Sequence, residues 1–399
     1  MVITPMIRNN ICLNCHPLGC EELVNQQIRY VQAQETRNSR GFRKVLIIGG
    51  STGYGLGGRI AAAYGWNAAT LNVSFEKESS DKRPASVGLY NTKAFEKQAA
   101  ADGLYAESIF GDAFSPEVKE QTAAKIAADL GRVDLVLYSI ASPVRPNPET
   151  GELYRSVLKP LGETYTATSL NLKDRSLEQV SIEPATEKEA EETVKVMGGE
   201  DWQEWIRVLR KHDVLSQECV TLSLSYIGPE ITTPIYRDGT IGQAKKHLER
   251  TAHILNEQLA DIQGRAYVSV NKALVTRASA VIPVVPLYLG VLYKVMKRKG
   301  LHEGCIEQMF RLLNEKLAGE EPELDAQGRI RLDDYEMRDD VQSEVMEAWS
   351  QLSNENLEQL ADIDSYEKEF KQIHGFDFDA VDYSQDVPFQ ISFTDSWIK

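Results

Sequence analysis

Two tyrosines and a lysine lie close together in SYIGPEITTPIYRDGTIGQAKKHLERTAHILNEQL, residues 225–259. Tyr226 comes first, and eight residues separate Tyr236 from Lys245. A tyrosine hydroxyl can donate a proton to a reacting group, and a lysine beside it can lower the pKa of that hydroxyl. The Gly-Thr-Ile-Gly run indicates a loop leading into a helix that starts near Gln243, with Lys245 in the first turn. The three side chains could therefore converge on a carbonyl oxygen and on the ribose of a cofactor.

A second tyrosine–lysine pair, Tyr293 and Lys297, lies in LGVLYKVMKRKG with three residues between its members. It follows the sixth predicted strand, which is late for a catalytic pair, and we interpret it as part of an ordinary amphipathic helix. The first pair follows the fifth strand, at the carboxyl ends where the site of a doubly wound sheet opens. For Tyr226 or Tyr236 taken alone, the alternative is a packed ring whose hydroxyl has a partner inside the protein.

A glycine-rich turn follows the first strongly apolar run of the chain. KVLIIGGSTGYGLGGRIA, residues 44–61, contains Gly49-x3-Gly53-x-Gly55 and fits G-x-G-x-x-G from Gly53 to Gly58. A predicted strand precedes it and a predicted helix follows, the context in which glycines let a backbone approach a pyrophosphate at a helix N-terminus. A tight turn without a ligand is the alternative, but so many glycines cost conformational entropy without a structural need. The turn predicts a dinucleotide site.

Acidic residues follow the second and third predicted strands. TLNVSF, residues 70–75, leads into Phe75-Glu76, where a dinucleotide-binding fold keeps the carboxylate that binds the adenosine ribose. A carboxylate there repels a 2′-phosphate, so we expect NADH to be preferred over NADPH. Asp112, in FGDAF, stands where an acidic group could contact the adenine, with a turn residue as its alternative.

These positions require a particular order of elements. Apolar runs at 44–49, 70–75, 104–110, 133–141, 219–226 and 266–271 predict strands, and patterns at 58–65, 94–103, 115–131, 201–213 and 240–262 predict helices. Strands that are apolar on both faces and separated by helices predict an α/β fold, a Rossmann-type doubly wound parallel sheet like that of short-chain dehydrogenases, with additional lid elements. We expect one domain over residues 1–399, with a turn-rich insertion at 143–200 that covers the active site.

Composition excludes several classes of partner. The chain has 399 residues and a formal net charge of −15, which argues against nucleic acid and acidic membranes as partners. Its N-terminus lacks the apolar core of a secretory signal, and no run approaches the ~20 apolar residues of a membrane span. We therefore expect a cytoplasmic protein. The basic run Lys294, Lys297, Arg298 and Lys299 is interpreted as a solvated helix face, with contact to CoA phosphates or a partner as the alternative.

The run NICLNCHPLGC, residues 10–20, contains Cys12-x-x-Cys15-His16, the spacing of a c-type haem attachment site. Nothing in the sequence exports the chain, and a zinc site would have to be completed by Cys20 from the same short segment. We interpret the thiols as small reduced packing residues and expect neither haem nor metal.

Several motifs together resemble the trans-2-enoyl-CoA reductases, kin of the class V enoyl-acyl-carrier-protein reductases. They are Tyr-x8-Lys after YIGPE, GGSTGYG, Phe-Glu after the second strand, VNKALVTRASAVIPVVPLY (270–288), RNNICLN, VMGGEDW (196–202) and HEGCIEQ (302–308). The resemblance covers essentially the whole chain.

The resemblance implies that Tyr236 is the proton donor, that Tyr226 contacts the substrate thioester, and that Lys245 binds the cofactor, NADH. The other positions that match the NAD contacts of the family are Gly49, Gly50, Ser51, Thr52, Gly53, Tyr54, Phe75, Glu76, Asp112, Ala113, Ile140, Ala141, Leu274, Val275 and Thr276. Helices within residues 271–318 would line the acyl pocket.

The implied reaction is the NADH-dependent reduction of a short trans-2-enoyl-CoA, such as crotonyl-CoA, in fatty-acid or butyrate-type metabolism. Hydride transfer to C3 and protonation at C2 would give the saturated acyl-CoA. An acyl-carrier-protein thioester is the alternative substrate, and a non-catalytic dinucleotide sensor is a third hypothesis. We expect a monomer without a nucleic-acid or membrane partner.

Overall fold

A computed structural model of the chain describes residues 1–8, 11–37, 41–280, 282–319 and 321–398. Asn9 and Asn10 of the RNNICLN motif and Val281 of the predicted acyl-pocket segment lie outside these residues. In chain order, the strands are β1 (Ile7–Arg8), β2 (Ile11–Cys12), β3 (Lys44–Ile48), β4 (Ala69–Ser74), β5 (Ala106–Phe110), β6 (Val133–Tyr138), β7 (Val144–Pro146), β8 (Leu153–Arg155), β9 (Tyr165–Asn171), β10 (Ser176–Ile182), β11 (Leu215–Ser225), β12 (Arg265–Val270) and β13 (Ile330–Arg331).

The α-helices are α1 (Pro17–Gln32), α2 (Gly53–Ile60), α3 (Val87–Ala101), α4 (Pro116–Asp129), α5 (Glu187–Met197), α6 (Glu200–Lys211), α7 (Thr240–Gln258), α8 (Val285–Arg298), α9 (Cys305–Arg311), α10 (Asp339–Ser350), α11 (Leu357–Leu360) and α12 (Ile363–Gln372). Short π-helical turns, Ala61–Gly65 and Leu312–Lys316, continue α2 and α9. None of the helices in the described ranges combines the length and apolar character that crossing a bilayer requires.

Seven parallel strands form the central sheet, in the order β13-β12-β11-β6-β3-β4-β5. The strand order reverses between β3 and β6, which is the switch point where a doubly wound sheet opens a crevice for a ligand. This confirms the predicted Rossmann-type fold and all six predicted strands. The seventh strand, β13, is a two-residue edge strand that was not predicted because so short a segment carries no periodic signal.

The residues of β3 show why the sheet is covered on both faces. Side chains alternate along a strand, and Val45 and Ile47 pack into one apolar layer while Leu46 and Ile48 pack into the other. The first layer contains residues of α1, α2, α3 and α9, and the second contains residues of α4, α6 and α7. The apolar run KVLII therefore encodes a strand that is buried between two helical layers.

Several predicted helix starts differ from the structure. α3 begins at Val87, not at residue 94. α2 begins at Gly53, not near residue 58, so much of the glycine run lies inside the helix. α7 begins at Thr240, as the 240–262 pattern predicts, and not near Gln243, as the loop before it indicated, so Lys245 lies in the second turn. Gly242 lies in the first turn of α7, where a Cβ would stand 2.0 Å from the Arg237 carbonyl oxygen, so the close approach of the backbone requires glycine.

The predicted insertion, residues 143–200, folds into two antiparallel hairpins and a helix. β7 pairs with β8, β9 pairs with β10, and α5 follows. A reciprocal capping box between Thr186 and Glu189 starts α5. β9 packs beside α8, whose other neighbours are α10 and α12, and these elements form an apolar cluster separate from the two sheet layers.

The predicted 133–141 strand is shorter than expected. β6 ends at Tyr138, so Ile140 and Ala141 lie in the loop beyond it. The amide of Ser139 still donates to the Ile48 carbonyl at 2.8 Å, after which the chain leaves the sheet. The two predicted cofactor-contact residues are thus placed at the sheet edge, not within it.

Candidate functional site

Tyr226 and Tyr236 meet at the carboxyl edge of the sheet. Tyr226 is the first residue after β11, and Tyr236 follows a 3-10 turn, Glu230–Thr232. Their ring centroids are 4.9 Å apart and their planes are at 89°. Such an edge-to-face contact holds both rings in defined positions.

The two tyrosine hydroxyls have different surroundings. Tyr226 donates to Oε1 of Glu336 at 3.2 Å, whereas the Tyr236 hydroxyl has no hydrogen-bond partner in the described part of the chain. Burial raises the pKa of both phenols, and the Glu336 charge raises that of Tyr226 further. Both are therefore protonated at neutral pH, and no acceptor among the described residues engages the proton of Tyr236.

Lys245 lies against the end of β11. Its Nζ donates to the Leu224 carbonyl oxygen at 3.2 Å, two residues before Tyr226. Burial lowers the pKa of Lys245 to about 8, and Glu249 opposes the shift. The ammonium is thus placed at the same sheet edge as the tyrosines and retains its charge near neutral pH.

The glycine turn has the form of an anion site. Gly49 and Gly53 have φ values of 93° and 53°, which only glycine adopts readily. Thr52 makes no side-chain cap at the start of α2, so the first turn of the helix lacks that acceptor. A Cβ on Gly53 would have only Thr276 Cγ2, at 3.8 Å, near it, whereas one on Gly55 would collide with the Gly49 carbonyl oxygen at 2.0 Å. The turn is therefore closely packed at Gly55, on its inner side, and has free space at Gly53, on the side that faces Thr276.

The rest of the predicted turn is fixed from the sheet and from α3. Asn72 on β4 accepts from the Gly50 amide at 2.8 Å, and Asn91 on α3 donates to the Ser51 carbonyl at 3.1 Å. The Tyr54 hydroxyl donates to the Lys272 carbonyl at 2.6 Å and so joins the turn to the loop after β12.

Phe75 and Glu76 stand at the end of β4. The Phe75 side chain is 71% exposed, although it is a large apolar group. Burial raises the pKa of Glu76, while hydrogen bonds from Ser51 and Ser86 oppose the shift. A Cβ on Gly88 would lie 2.1 Å from Glu76 Oε1, so the absence of a side chain at the start of α3 makes room for the carboxylate. Ser51 is among the predicted cofactor contacts, whereas Ser86 and Gly88 were not singled out from the sequence.

The Asp112–Ala113 loop is held by a buried ion pair. Asp112 Oδ1 accepts from the Phe114 amide at 2.9 Å, a turn-forming contact. Lys119 donates to the Ala113 carbonyl at 2.8 Å and pairs with Asp201 at 2.8 Å. The side chains of the ion pair are 2% exposed each. The loop beyond β5 is thereby tied to α6, a connection that the sequence alone did not indicate.

Leu274, Val275 and Thr276 lie in the loop after β12. Leu274 and Val275 are buried, and Thr276 is half-buried opposite the glycine turn. With the residues after β3, β4, β5, β6 and β11, they bring every predicted site residue to the carboxyl edge of one sheet. Such an edge, on both sides of a switch point, accommodates a dinucleotide and a second ligand beside it.

Sequence reasoning missed Glu336, a fully buried carboxylate from the segment after β13. Its Oε1 accepts from Tyr226 and, at 2.6 Å, from Tyr288, and its Oε2 accepts from the Ala273 amide at 2.7 Å. Burial raises the pKa of Glu336, while the charge of Lys272 and these hydrogen bonds oppose the shift. No local motif surrounds Glu336, and only its distant partners reveal it.

The Cys12-x-x-Cys15-His16 segment lies apart from this edge. Cys15 and Cys20 are buried in a small apolar cluster with Tyr90 of α3. His16 caps α1 by accepting from the Gly19 amide, and burial lowers its pKa to about 4. These thiols occupy packing positions, as predicted. Within the described ranges, no group of three or more His, Cys, Asp or Glu side chains is arranged to hold a metal ion.

The side chains of Tyr293 and Lys297, the second tyrosine–lysine pair, interact with carboxylates of the C-terminal segment. Tyr293 donates to Glu369 Oε2 at 2.7 Å, and Lys297 lies 3.5 Å from Asp362. Arg298 and Lys299 of the same basic run pair with carboxylates of α10. Three of the four basic side chains are therefore paired with carboxylates, whereas exposed Lys294 donates to the Glu358 backbone carbonyl at 3.3 Å.

Three family models match the chain. The NAD(P)H binding domain of trans-2-enoyl-CoA reductase matches residues 2–81, the trans-2-enoyl-CoA reductase catalytic region matches residues 83–318, and the enoyl reductase FAD binding domain matches residues 324–387. The central sheet has strands in all three ranges.

Close relatives cover nearly the full length. The chain is 50% identical over 392 residues to the trans-2-enoyl-CoA reductase (NADH) of Ruminiclostridium cellulolyticum, covering 98% of this chain and 99% of that protein. It is 51% identical over 388 residues to the enoyl-acyl-carrier-protein reductase (NADH) of Flavobacterium johnsoniae, covering 97% and 98%. The crystal structure of Treponema denticola trans-2-enoyl-CoA reductase in complex with NAD superimposes with a TM-score of 0.92 at 48% identity, covering 97% and 98%. The resemblance seen in the motifs is confirmed.

The segment 324–387 does not fit an FAD site. The first turns of α10, α11 and α12 carry acidic residues, namely Asp339, Asp340, Glu358 and Asp364. Carboxylates there repel the pyrophosphate that a helix N-terminus would otherwise attract. Buried residues of all three helices belong to the apolar cluster around α8, and the segment has two isolated glycines instead of a glycine-rich turn. We assign it no flavin chemistry.

Proposed function

The chain belongs to the trans-2-enoyl-CoA reductase family, and we propose that it reduces short trans-2-enoyl-CoA thioesters, such as crotonyl-CoA, with NADH. The product is the saturated acyl-CoA, in fatty-acid or butyrate-type metabolism. The observation that carries the proposal is the hydroxyl of Tyr236, which no described residue engages and which is held edge-to-face with Tyr226. Lys245 contacts the Leu224 carbonyl at the end of the strand that leads to Tyr226. A site of this kind offers a proton and a cation to a group bound between them.

The residues around the switch point fit NADH. The open turn from Gly49 to Tyr54 would hold the pyrophosphate, and Glu76 would accept from the adenosine ribose hydroxyls. Asp112 and Ala113 would contact the adenine, with Phe75 alongside. On the other half of the crevice, Lys245, Ile140, Ala141 and the 274–276 loop would contact the nicotinamide nucleoside. NADH supplies a hydride to C3 of the enoyl thioester.

Tyr226 and Tyr236 act on the thioester oxygen, where negative charge builds as the enolate forms. Donors that are already in place stabilise this charge without reorganising. Tyr226 must turn its hydroxyl away from Glu336 to reach the substrate, and its bond to that carboxylate, at 3.2 Å, is the longer of two on the same oxygen. Glu336 retains Tyr288 and the Ala273 amide when Tyr226 turns.

Tyr236 completes the reaction by transferring its phenolic proton to C2. The electron pair of the enolate forms the C–H bond, and the phenol becomes a phenolate that regains a proton from water. Lys245 stabilises the phenolate by its charge and holds the cofactor ribose. Burial raises the pKa of Tyr236 and so disfavours its phenolate, which is the form that the positive charge of Lys245 stabilises.

Isotopic labelling tests the proposed reaction directly. Reduction of crotonyl-CoA with NADH deuterated at the transferred position should place deuterium at C3, and reduction in D₂O should place it at C2. Parallel assays with NADPH and with a C12 enoyl-CoA measure cofactor and chain-length preference. NADH binding without reduction of any enoyl thioester would support the sensor hypothesis instead.

An acyl-carrier-protein thioester is the second candidate substrate. The relative from Flavobacterium johnsoniae carries that name at 51% identity, about the same as the CoA-named relative. We favour CoA because the pocket segment VTRASAVIP resembles the CoA-specific branch. Comparison of kcat/KM for the same acyl group on the two carriers distinguishes them, and a higher value for the carrier protein would overturn this preference.

The 143–200 insertion covers the active site in this proposal, and helices within 271–318 line the acyl pocket. Tyr165 of β9 donates to the Ile231 carbonyl at 3.0 Å, so the insertion contacts the turn that leads to Tyr236. A cavity of about 370 Å³ lies between them and α10, lined partly by Met346 and Trp349.

We further propose that the whole chain works as one domain and as a cytoplasmic monomer. Sedimentation analysis would test the oligomeric state.

A further inference from the structure

The loop after β12 is held by an acceptor that does not belong to the sheet. Val275, in the middle of the loop, donates its amide to the Tyr293 hydroxyl oxygen at 3.2 Å. Tyr293 is on α8 and is fully buried. A side-chain hydroxyl from a separate helix thus fixes the backbone of one of the predicted cofactor-contact residues.

The direction of this hydrogen bond is determined by Glu369 on α12. Tyr293 donates its own proton to Glu369 Oε2 at 2.7 Å, which leaves its oxygen to accept from Val275. Burial alone would raise the pKa of Glu369, but hydrogen bonds from His302 and Tyr293 and the charge of Lys297 hold it below its usual value. The carboxylate is therefore ionised at neutral pH and acts as an acceptor.

The ring of Tyr293 is fixed on several sides. Lys272 Nζ lies 5.0 Å and Lys297 Nζ lies 5.1 Å from its centroid. His302 packs against it edge-on with centroids 4.3 Å apart. Cation–π and aromatic contacts of this kind restrain a ring that is already buried. The hydroxyl consequently has little freedom to leave Val275.

The position of the loop assigns it to one half of the cofactor. β12 lies beyond β11 and β6, on the side of the switch point opposite β4 and β5, which carry Glu76 and Asp112. In a doubly wound sheet the two halves of a dinucleotide bind on the two sides of this point. The loop therefore faces the nicotinamide half and not the adenosine half.

We propose that Tyr293 is a positioning residue for the nicotinamide half of the cofactor, acting through the Val275 backbone with Glu369 as its anchor. This rests on NADH binding as set out in the proposed function, but not on reduction of any thioester. It also gives a role to the segment 324–387, which supplies Glu369 and Glu336 to the same loop from α12 and from the turn before α10.

Tyr288 offers a matched control on the same helix. It is also fully buried, and it donates to a buried carboxylate of the same segment, Glu336, at 2.6 Å. Its oxygen accepts from Gln342 and from no backbone amide of the 271–276 loop. Tyr288→Phe and Tyr293→Phe therefore remove the same group from the same helix. Only the second removes an acceptor that a loop amide uses directly, because the Ala273 amide keeps its own bond to Glu336 in Tyr288→Phe.

The experiment measures dissociation constants of NADH and of ADP-ribose, which lacks the nicotinamide, by calorimetry. Tyr293→Phe should weaken NADH binding about five- to tenfold, because loss of one hydrogen bond lowers the fraction of loops in the binding conformation. ADP-ribose should bind within about twofold of the wild-type value, and Tyr288→Phe should leave both constants within the same margin. Equal weakening of the two ligands by Tyr293→Phe, or no weakening of NADH, would overturn the proposal.

Hydrogen exchange on the unmodified protein provides a second test that does not depend on the variant folding. The Val275 amide should be protected before NADH is added, because a buried acceptor holds it. Rapid exchange of that amide in the free protein would contradict the proposal. Both measurements are independent of thioester reduction, so an inactive wild-type protein would refute the proposed function and leave this inference standing or falling separately.

Discussion

Tyr226 donates its hydroxyl to Glu336 at 3.2 Å, although the two residues are separated by 110 positions in the chain. The neighbouring Tyr236 has no such partner among the described residues. Two tyrosines that look equivalent in the sequence therefore differ in the hydrogen bonding of their hydroxyls before any ligand binds. One is engaged by a carboxylate, and the other retains a proton for a ligand.

Tyr236→Phe should lower kcat with crotonyl-CoA by at least ~10²-fold, the usual contribution of a positioned acid. NADH binding should remain, because the phenol does not belong to the glycine turn. Steady-state assays together with NADH titration measure the two effects. Near-normal NADH oxidation by this variant would show that another group protonates C2.

The pH dependence of NADH use should follow Lys245. Its pKa is lowered to about 8 by burial, and a lysine is cationic only below its pKa. The value of kcat/KM for NADH should therefore be level below about pH 8 and fall about tenfold for each unit above it. Lys246→Met, at the adjacent exposed position, should retain this profile, whereas Lys245→Met should be slow throughout. A wild-type profile that is flat to pH 10 would contradict the assignment.

Glu76→Gln should shift cofactor preference toward NADPH. The half-buried carboxylate repels a 2′-phosphate, and the amide does not. We expect the ratio of kcat/KM values for NADPH and NADH to rise about tenfold, equivalent to ~1.4 kcal/mol. Glu78→Gln changes an exposed acid two residues away and serves as the control. An unchanged ratio in Glu76→Gln would mean that another residue rejects the phosphate.

Lys119→Met should destabilise the fold by about 3–5 kcal/mol, because it leaves the Asp201 carboxylate buried without its ammonium partner. It should also weaken NADH binding, since Lys119 holds the Ala113 carbonyl. Urea unfolding measures the first effect and NADH titration the second. Arg207→Met, which breaks an exposed pair with Glu204, should cost about 0–1 kcal/mol. A similar cost for the two variants would contradict the importance assigned to the buried pair.

Much of the fold was encoded locally and could be predicted from the sequence. Apolar runs such as KVLII reveal strands buried on two faces, and the glycine run after them reveals a turn that approaches an anion. The position of Tyr236 and Lys245 after a predicted strand indicated that both lie at the carboxyl edge of the sheet. Helix starts were less accurate, as α2 and α3 show, because apolar periodicity marks the buried face of a helix and not its first residue.

Only the tertiary structure revealed the carboxylates behind the site. Glu336 and Glu369 stand in ordinary polar surroundings in the sequence, yet the packing of α10 and α12 on α8 brings them beside Tyr226 and Tyr293. Tyr293 itself was interpreted as part of an ordinary helix. A strand or a turn follows from interactions between residues a few positions apart, which its sequence displays. A buried hydrogen bond between residues far apart in the chain is defined only when the helices that carry them have packed.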